Sequence, residues 1–114
     1  MQTRAENLFA DLEVRSEDEL ITALVSKPGI RIERIVSTGQ ASPPDFWYDQ
    51  PWAEWVMVAS GSAALLLEGE SQPVPMAAGD YLLIPPHRRH RVEWTDPEVP
   101  TVWLAVHFDG RPAG

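Results

Sequence analysis

The sequence predicts an all-β fold, a sandwich or barrel of short strands preceded by one short helix. Three observations carry that expectation. From Ile30 onward, apolar residues alternate with polar ones or gather in runs of about five to eight, the length of strands rather than helices. The runs are divided by Ser60-Gly61, Gly69-Glu70-Ser71, Ala78-Gly79-Asp80, Pro85-Pro86 and Asp96-Pro97, residue types that end strands. The 11 prolines sit between the runs more than within them, because proline cannot donate to a β-ladder.

Taken in chain order, the first element is the expected helix over 17–26. Ser16 followed by Glu19 fits a capping box, Leu20 and Leu24, and Ile21 and Val25, fall at helical spacing, and Pro28-Gly29 stops the run. Strands follow over 30–108. Ile30 to Thr38 alternates apolar and charged residues, and after the loop QASPPD come EWVMVAS, SAALLLE, QPVPM, DYLLIP, HRVEW and TVWLAVHF. The stretches WVMVA, ALLL, YLLI and VWLAV are apolar on both faces. One face can fill a barrel, and the other needs a cover, either the helix or a second copy of the chain, so a homodimer is expected. With 114 residues and no internal repeat, residues 1–114 make one domain, its tail from Gly110 to Gly114 expected to fray.

Composition excludes several classes. A formal net charge of -8 opposes binding to nucleic acid or anionic membrane, which need clustered cations. Arg88, Arg89 and Arg91 form the one dense basic group, and around a turn such a group reads as a solvated rim. The chain has no cysteine, which removes disulfides and thiolate ligands and agrees with a reducing, cytoplasmic setting. No apolar run reaches the roughly 20 residues of a membrane span, and the N-terminus lacks a secretory core. Ser60-Gly61-Ser62 is no nucleophile elbow, and no glycine-rich phosphate loop occurs.

Two spacings carry chemistry. Gly79, Pro85 and His90 in GDYLLIPPHRRH match the second motif of the cupin superfamily, G(X)5PXG(X)2H(X)3N, with His87 at the motif's glycine and Trp94 at its asparagine. Glu54 followed by Gly61 matches the second half of the first motif, G(X)5HXH(X)3-4E(X)6G. The chain therefore resembles a small single-domain cupin. The resemblance implies a double-stranded β-helix, or jelly-roll barrel, in which first-motif residues and the second-motif histidine meet inside. The HXH histidines are missing. A three-residue spacer before Glu54 puts Tyr48 and Gln50 in their places, and a four-residue spacer selects Trp47 and Asp49.

Period-2 geometry puts Glu54 on one face with Val56 and Val58, and His90 on one face with Val92, so both can point inward among apolar neighbours. The implied ligand-binding set is Tyr48, Gln50, Glu54, His90 and Trp94. If a divalent transition metal such as Fe, Mn, Ni or Zn is bound, Glu54 and His90 are the first ligands, then Gln50, with His107 in reserve. That set is poor for a metal, since an amide oxygen is a weak donor and a phenol with an ordinary pKa near 10 ligates only after losing its proton. His107 reads more simply as a core histidine with an internal partner, and His87 as a solvent-facing turn residue.

Phe46, Trp47, Tyr48, Trp52 and Trp55 crowd the first motif and suit a small organic ligand as well as a core. The leading expectation is a barrel that binds a low-molecular-weight organic ligand, with metal optional. The alternatives are a metal-dependent dioxygenase, isomerase or epimerase, and a structural or sensory dimer whose pocket is filled by its own side chains.

Overall fold

The structure is a computed structural model that describes residues 2–12 and 17–109. The described residues form eight strands: β1 (Leu20–Lys27), β2 (Ile30–Ser37), β3 (Ala53–Ser60), β4 (Ser62–Leu67), β5 (Val74–Ala77), β6 (Tyr81–Ile84), β7 (His90–Thr95) and β8 (Thr101–Phe108). They form a five-stranded sheet in the order β1-β2-β8-β3-β6 and a three-stranded sheet in the order β5-β4-β7, and every pairing is antiparallel. The inner faces of the two sheets meet as a jelly roll. No helix among the described residues is long and apolar enough to cross a membrane.

The helix expected over 17–26 is not formed. Residues 20–27 are strand β1, a hairpin partner of β2 through the two-residue turn Pro28-Gly29, where Gly29 takes φ 82°. The four-residue apolar spacing that suggested a helix comes from a β-bulge. The register runs Ala23↔Glu33 and then Val25↔Ile32, so Leu24 is an extra residue that breaks the alternation. Ile21, Thr22 and Val25 are β-branched and fit the pleated edge. Ser16, the proposed cap, and the tail from Gly110 lie outside the described residues.

Alternation on the other strands sends one set of side chains between the sheets. Val56, Val58, Ala63, Leu65, Met76, Ile84, Trp103 and Ala105 pack as a continuous core. Val56, Leu65, Ile84 and Trp103 of that core also line a partly open cavity of about 220 Å³ between the sheets. Its wall repeats the period of two: Arg31, Glu33 and Ile35 from β2, Glu54 and Val56 from β3, His90 and Val92 from β7, Trp103 and His107 from β8.

The outer face of the larger sheet is apolar across several strands. Leu83, Trp55, Val106 and Ile32 stand in register in one row, and Tyr81, Met57 and Leu104 in the next. Arg34 ends that second row and holds the N-terminal stretch against it, its Nη1 donating to the carbonyls of Leu8 at 3.2 Å and Ala10 at 2.6 Å. At the opposite edge Tyr81 and Leu83 remain 63% and 58% exposed.

Candidate functional site

His90 opens β7 immediately after the turn that begins at Pro85. Its Nδ1 lies 2.9 Å from the carbonyl oxygen of Arg88, which can only accept, so Nδ1 carries the proton and Nε2 is the nitrogen that titrates. Nε2 faces Glu54 Oε1 at 3.6 Å. The Gln50 amide donates to the same oxygen at 3.1 Å. Tyr48 reaches this group from the loop before β3, tied to His90 by reciprocal backbone bonds of 2.7 and 3.1 Å and by ring stacking with centroids 5.4 Å apart.

These contacts set the protonation of the pair. Burial pushes the Glu54 carboxyl up, but His90 beside it, the nearby His107 and the Gln50 amide together outweigh burial and hold it below the ordinary carboxylate value. Burial pulls His90 down, and the neighbouring Glu54 with the Arg88 carbonyl outweighs it, so the imidazole sits above its ordinary value. The Tyr48 hydroxyl is pushed up by burial and then by the charges of Glu19 and Glu54. It is a neutral phenol at physiological pH.

A second network closes one side of the cavity. Trp52 Nε1 donates to His107 Nδ1 at 2.8 Å, and His107 Nε2 lies 3.0 Å from Glu33 Oε1. An indole can only donate, so Nδ1 is the bare nitrogen and Nε2–H donates to Glu33. Arg31 pairs with the other oxygen of Glu33 at 3.0 Å and lies over the Trp52 ring at 5.9 Å. His107 thus has both nitrogens occupied, as the sequence reading preferred. Beside the cavity, Trp103 Nε1 donates to Ser37 Oγ at 3.0 Å, and Ser37 in turn donates to Glu19.

Of the residues expected from sequence, Tyr48, Gln50, Glu54, His90 and His107 all line the cavity. The three-residue spacer is the one realised. Asp49 turns outward to pair with exposed His87 at 2.8 Å, and Trp47 packs under Arg89. His87 adopts φ 61°, the left-handed conformation for which the motif carries glycine and which histidine tolerates better than most residues. Trp94 is a correction: it does not line the cavity and is 42% exposed. The ladder runs Ala64↔Trp94 and then Leu65↔Val92, so Glu93 is a bulge that turns Trp94 out and brings Thr95 in.

Glu19, Arg31 and Glu33 were not foreseen as wall residues. Alternation along β2 gave a signal, since Arg31, Glu33 and Ile35 share a face, but Arg34 charges the opposite face and leaves the inward side undecided.

A cupin domain model matches residues 34–107, more than half of the chain. The chain belongs to the cupin family. A protein from Ralstonia eutropha JMP134, provisionally named a mannose-6-phosphate isomerase, is 56% identical to this cupin, with a TM-score of 0.90 over 94% of this chain and 99% of that one. A cupin superfamily protein from Desulfitobacterium hafniense DCB-2 is 16% identical, with a TM-score of 0.75 over 96% of this chain and 94% of that one. A double-stranded β-helix protein from Klebsiella pneumoniae has the same identity and TM-score over 98% and 95%. At such identity the last two show the fold alone. No curated protein matches the cupin described here.

The donors in this barrel do not suit a transition metal. Among the described residues no group of three or more His, Asp or Glu side chains is arranged to hold one. Glu54 and His90 supply one carboxylate and one imidazole, fewer than the two imidazoles and one carboxylate usual for non-haem iron. Gln50 presents its amide N–H toward Glu54, and the bare nitrogen of His107 is covered by Trp52.

Proposed function

We propose that this cupin binds a low-molecular-weight organic ligand inside its barrel, without needing a metal ion. The observation that carries the reading is the cavity itself: about 220 Å³, apolar over most of its wall, with Tyr48, Gln50, Glu54 and His90 gathered at one polar region. Cavity space of this kind argues against a pocket filled by its own side chains. The polar groups are also pre-positioned. His90 is anchored through Nδ1, and Glu54 through Gln50, so neither must reorganise to meet a ligand.

The isomerase name of the Ralstonia relative favours an enzyme as the second reading. Without a metal, the pair Glu54 and His90 could move a proton on a bound ligand, since His90 Nε2 titrates above its ordinary value beside a carboxylate that stays ionised. Elemental analysis of protein purified without chelator, combined with thermal unfolding in the presence of Fe, Mn, Ni or Zn, tests the metal-free reading. Sub-stoichiometric metal and an unchanged midpoint are expected. One metal per chain with a raised midpoint would overturn it.

We also infer a homodimer, formed through the outer face of the five-stranded sheet. The apolar rows that end in exposed Leu83 and Tyr81 support it, because two large apolar side chains left open at the edge of a partly covered apolar face suit a partner surface.

A further inference from the structure

We propose that Glu19 is the specificity-determining residue of the cavity and that it adapts the site to a small organic ammonium ion. The proposal rests on the reading of the barrel as a binding site. Glu19 reaches the cavity from the residue just before β1, where Leu20 pairs with Val36 and so puts Glu19 opposite Ser37.

Three carboxylates, Glu19, Glu33 and Glu54, face this cavity, and they are not equivalent. Glu33 has Arg31 at 3.0 Å and the His107 N–H at 3.0 Å, and Glu54 has Gln50 and His90. Among the described residues Glu19 receives only the hydroxyl of Ser37, a neutral donor, and no cation pairs with it. Ser37 is fully buried and is itself fixed by the Trp103 indole. The relay from Trp103 through Ser37 therefore holds the Glu19 carboxylate in place without neutralising it. A half-buried carboxylate of that kind gains most from a ligand that brings the missing positive charge.

The rest of the wall selects for an organic body around that charge. Ile35, Val56, Leu65 and Ile84 offer nothing to the hydration shell of an inorganic ion but match a hydrocarbon frame. The Tyr48 and Trp103 rings border the same space, and aromatic faces attract cations. An anion meets the opposite situation, because Arg31 and His90 already face carboxylates. A phosphate ester is thus the least suited of the small-molecule classes.

The test uses three probes of one shape and different charge: cyclohexylamine, cyclohexanol and cyclohexanecarboxylate. Each is titrated at pH 7 into the full chain while the indole N–H resonances of Trp103 and Trp52 are followed by NMR. The amine should bind about tenfold or more tightly than the alcohol, and the carboxylate most weakly. Glu19→Gln, whose amide oxygen can still accept from Ser37, should bring the amine down to the level of the alcohol and leave the alcohol unchanged. Equal binding of amine and alcohol, or equal weakening of both by Glu19→Gln, would overturn the ammonium preference while leaving the barrel reading intact. If no probe moves either indole resonance, both fall. Should Glu19→Gln fail to fold, the wild-type ranking alone decides the class.

Discussion

Trp52 Nε1 lies 2.8 Å from Nδ1 of His107, and that bond decides how the barrel's second imidazole can act. An indole has no lone pair to offer, so His107 must present its bare nitrogen to Trp52 and its N–H to Glu33. The ring is oriented and spent at both ends.

The His107 tautomer is therefore predictable. Nitrogen-15 NMR of the imidazoles should show Nε2 protonated and Nδ1 bare, and Trp52→Phe should lose that single form. Removing the donor leaves a buried acceptor without a partner, at a cost of about 1–3 kcal/mol in unfolding free energy. Finding the proton on Nδ1 in the unmodified chain would refute the assignment.

The buried pair Glu54 and His90 should make stability depend on pH in two opposite directions. His90 titrates above its ordinary 6.5, so its contribution is complete below that value and lost as pH rises through the folded-state value. Glu54 titrates below its ordinary 4.5, so its contribution is present above that value and lost as pH falls through the folded-state value. Between about 4.5 and 6.5 the pair contributes fully. His90→Gln should cost about 3–5 kcal/mol in that window and less toward pH 9, because it strands a buried carboxylate. A penalty that does not change with pH, measured by denaturant unfolding, would exclude the coupling.

Glu19 should act with the reverse sign. Burial raises its carboxyl despite the Ser37 bond, so the folded state is favoured below pH 4.5 and penalised as pH rises through the raised value. Glu19→Gln is expected to be more stable than the unmodified chain at pH 7 and to lose that advantage near pH 4. A destabilised variant at pH 7 would contradict an uncompensated charge.

Two glycines with the same backbone angle should respond differently to substitution. Gly61 and Gly69 have φ of 90° and 91°, but a Cβ on Gly61 would lie 2.6 Å from Thr101 Oγ1 and 2.7 Å from Thr101 Cα, whereas Gly69 faces open space. Gly69→Ala should cost about 1 kcal/mol for the left-handed conformation alone. Gly61→Ala should cost about 3 kcal/mol or more, because the contact is with backbone and cannot yield by a rotamer change. Equal losses in the unfolding midpoint would mean that the β3–β4 turn is looser than it stands here.

The outer sheet face gives a prediction about assembly. Tyr81→Glu combined with Leu83→Glu should convert a dimer to a monomer in light scattering after size exclusion. Both side chains are exposed in the single chain, so its own fold should change by only about 0.5 kcal/mol per site. An unchanged mass would remove this face as the interface.

Much of the barrel was legible because strand length, alternation and turn residues are local properties. Glu54, Gln50, Tyr48 and His90 were legible for a related reason: motif spacing constrains where residues stand on two hairpins. The misreadings at Leu24 and Trp94 share one cause. A bulge shifts the alternation by one residue, and one residue moves a side chain from one face to the other.

The sequence by itself determined an all-β cupin barrel, the inward pair Glu54 and His90, and a first motif stripped of its histidines. Tertiary structure decided what that pair and its surroundings can do. Trp52 seals His107 from 55 residues away, His107 reaches Glu33 across 74, and Trp103 reaches Ser37 across 66. Such bonds join strands distant in the chain, and they exist only once register and bulges have set which side chains share a wall.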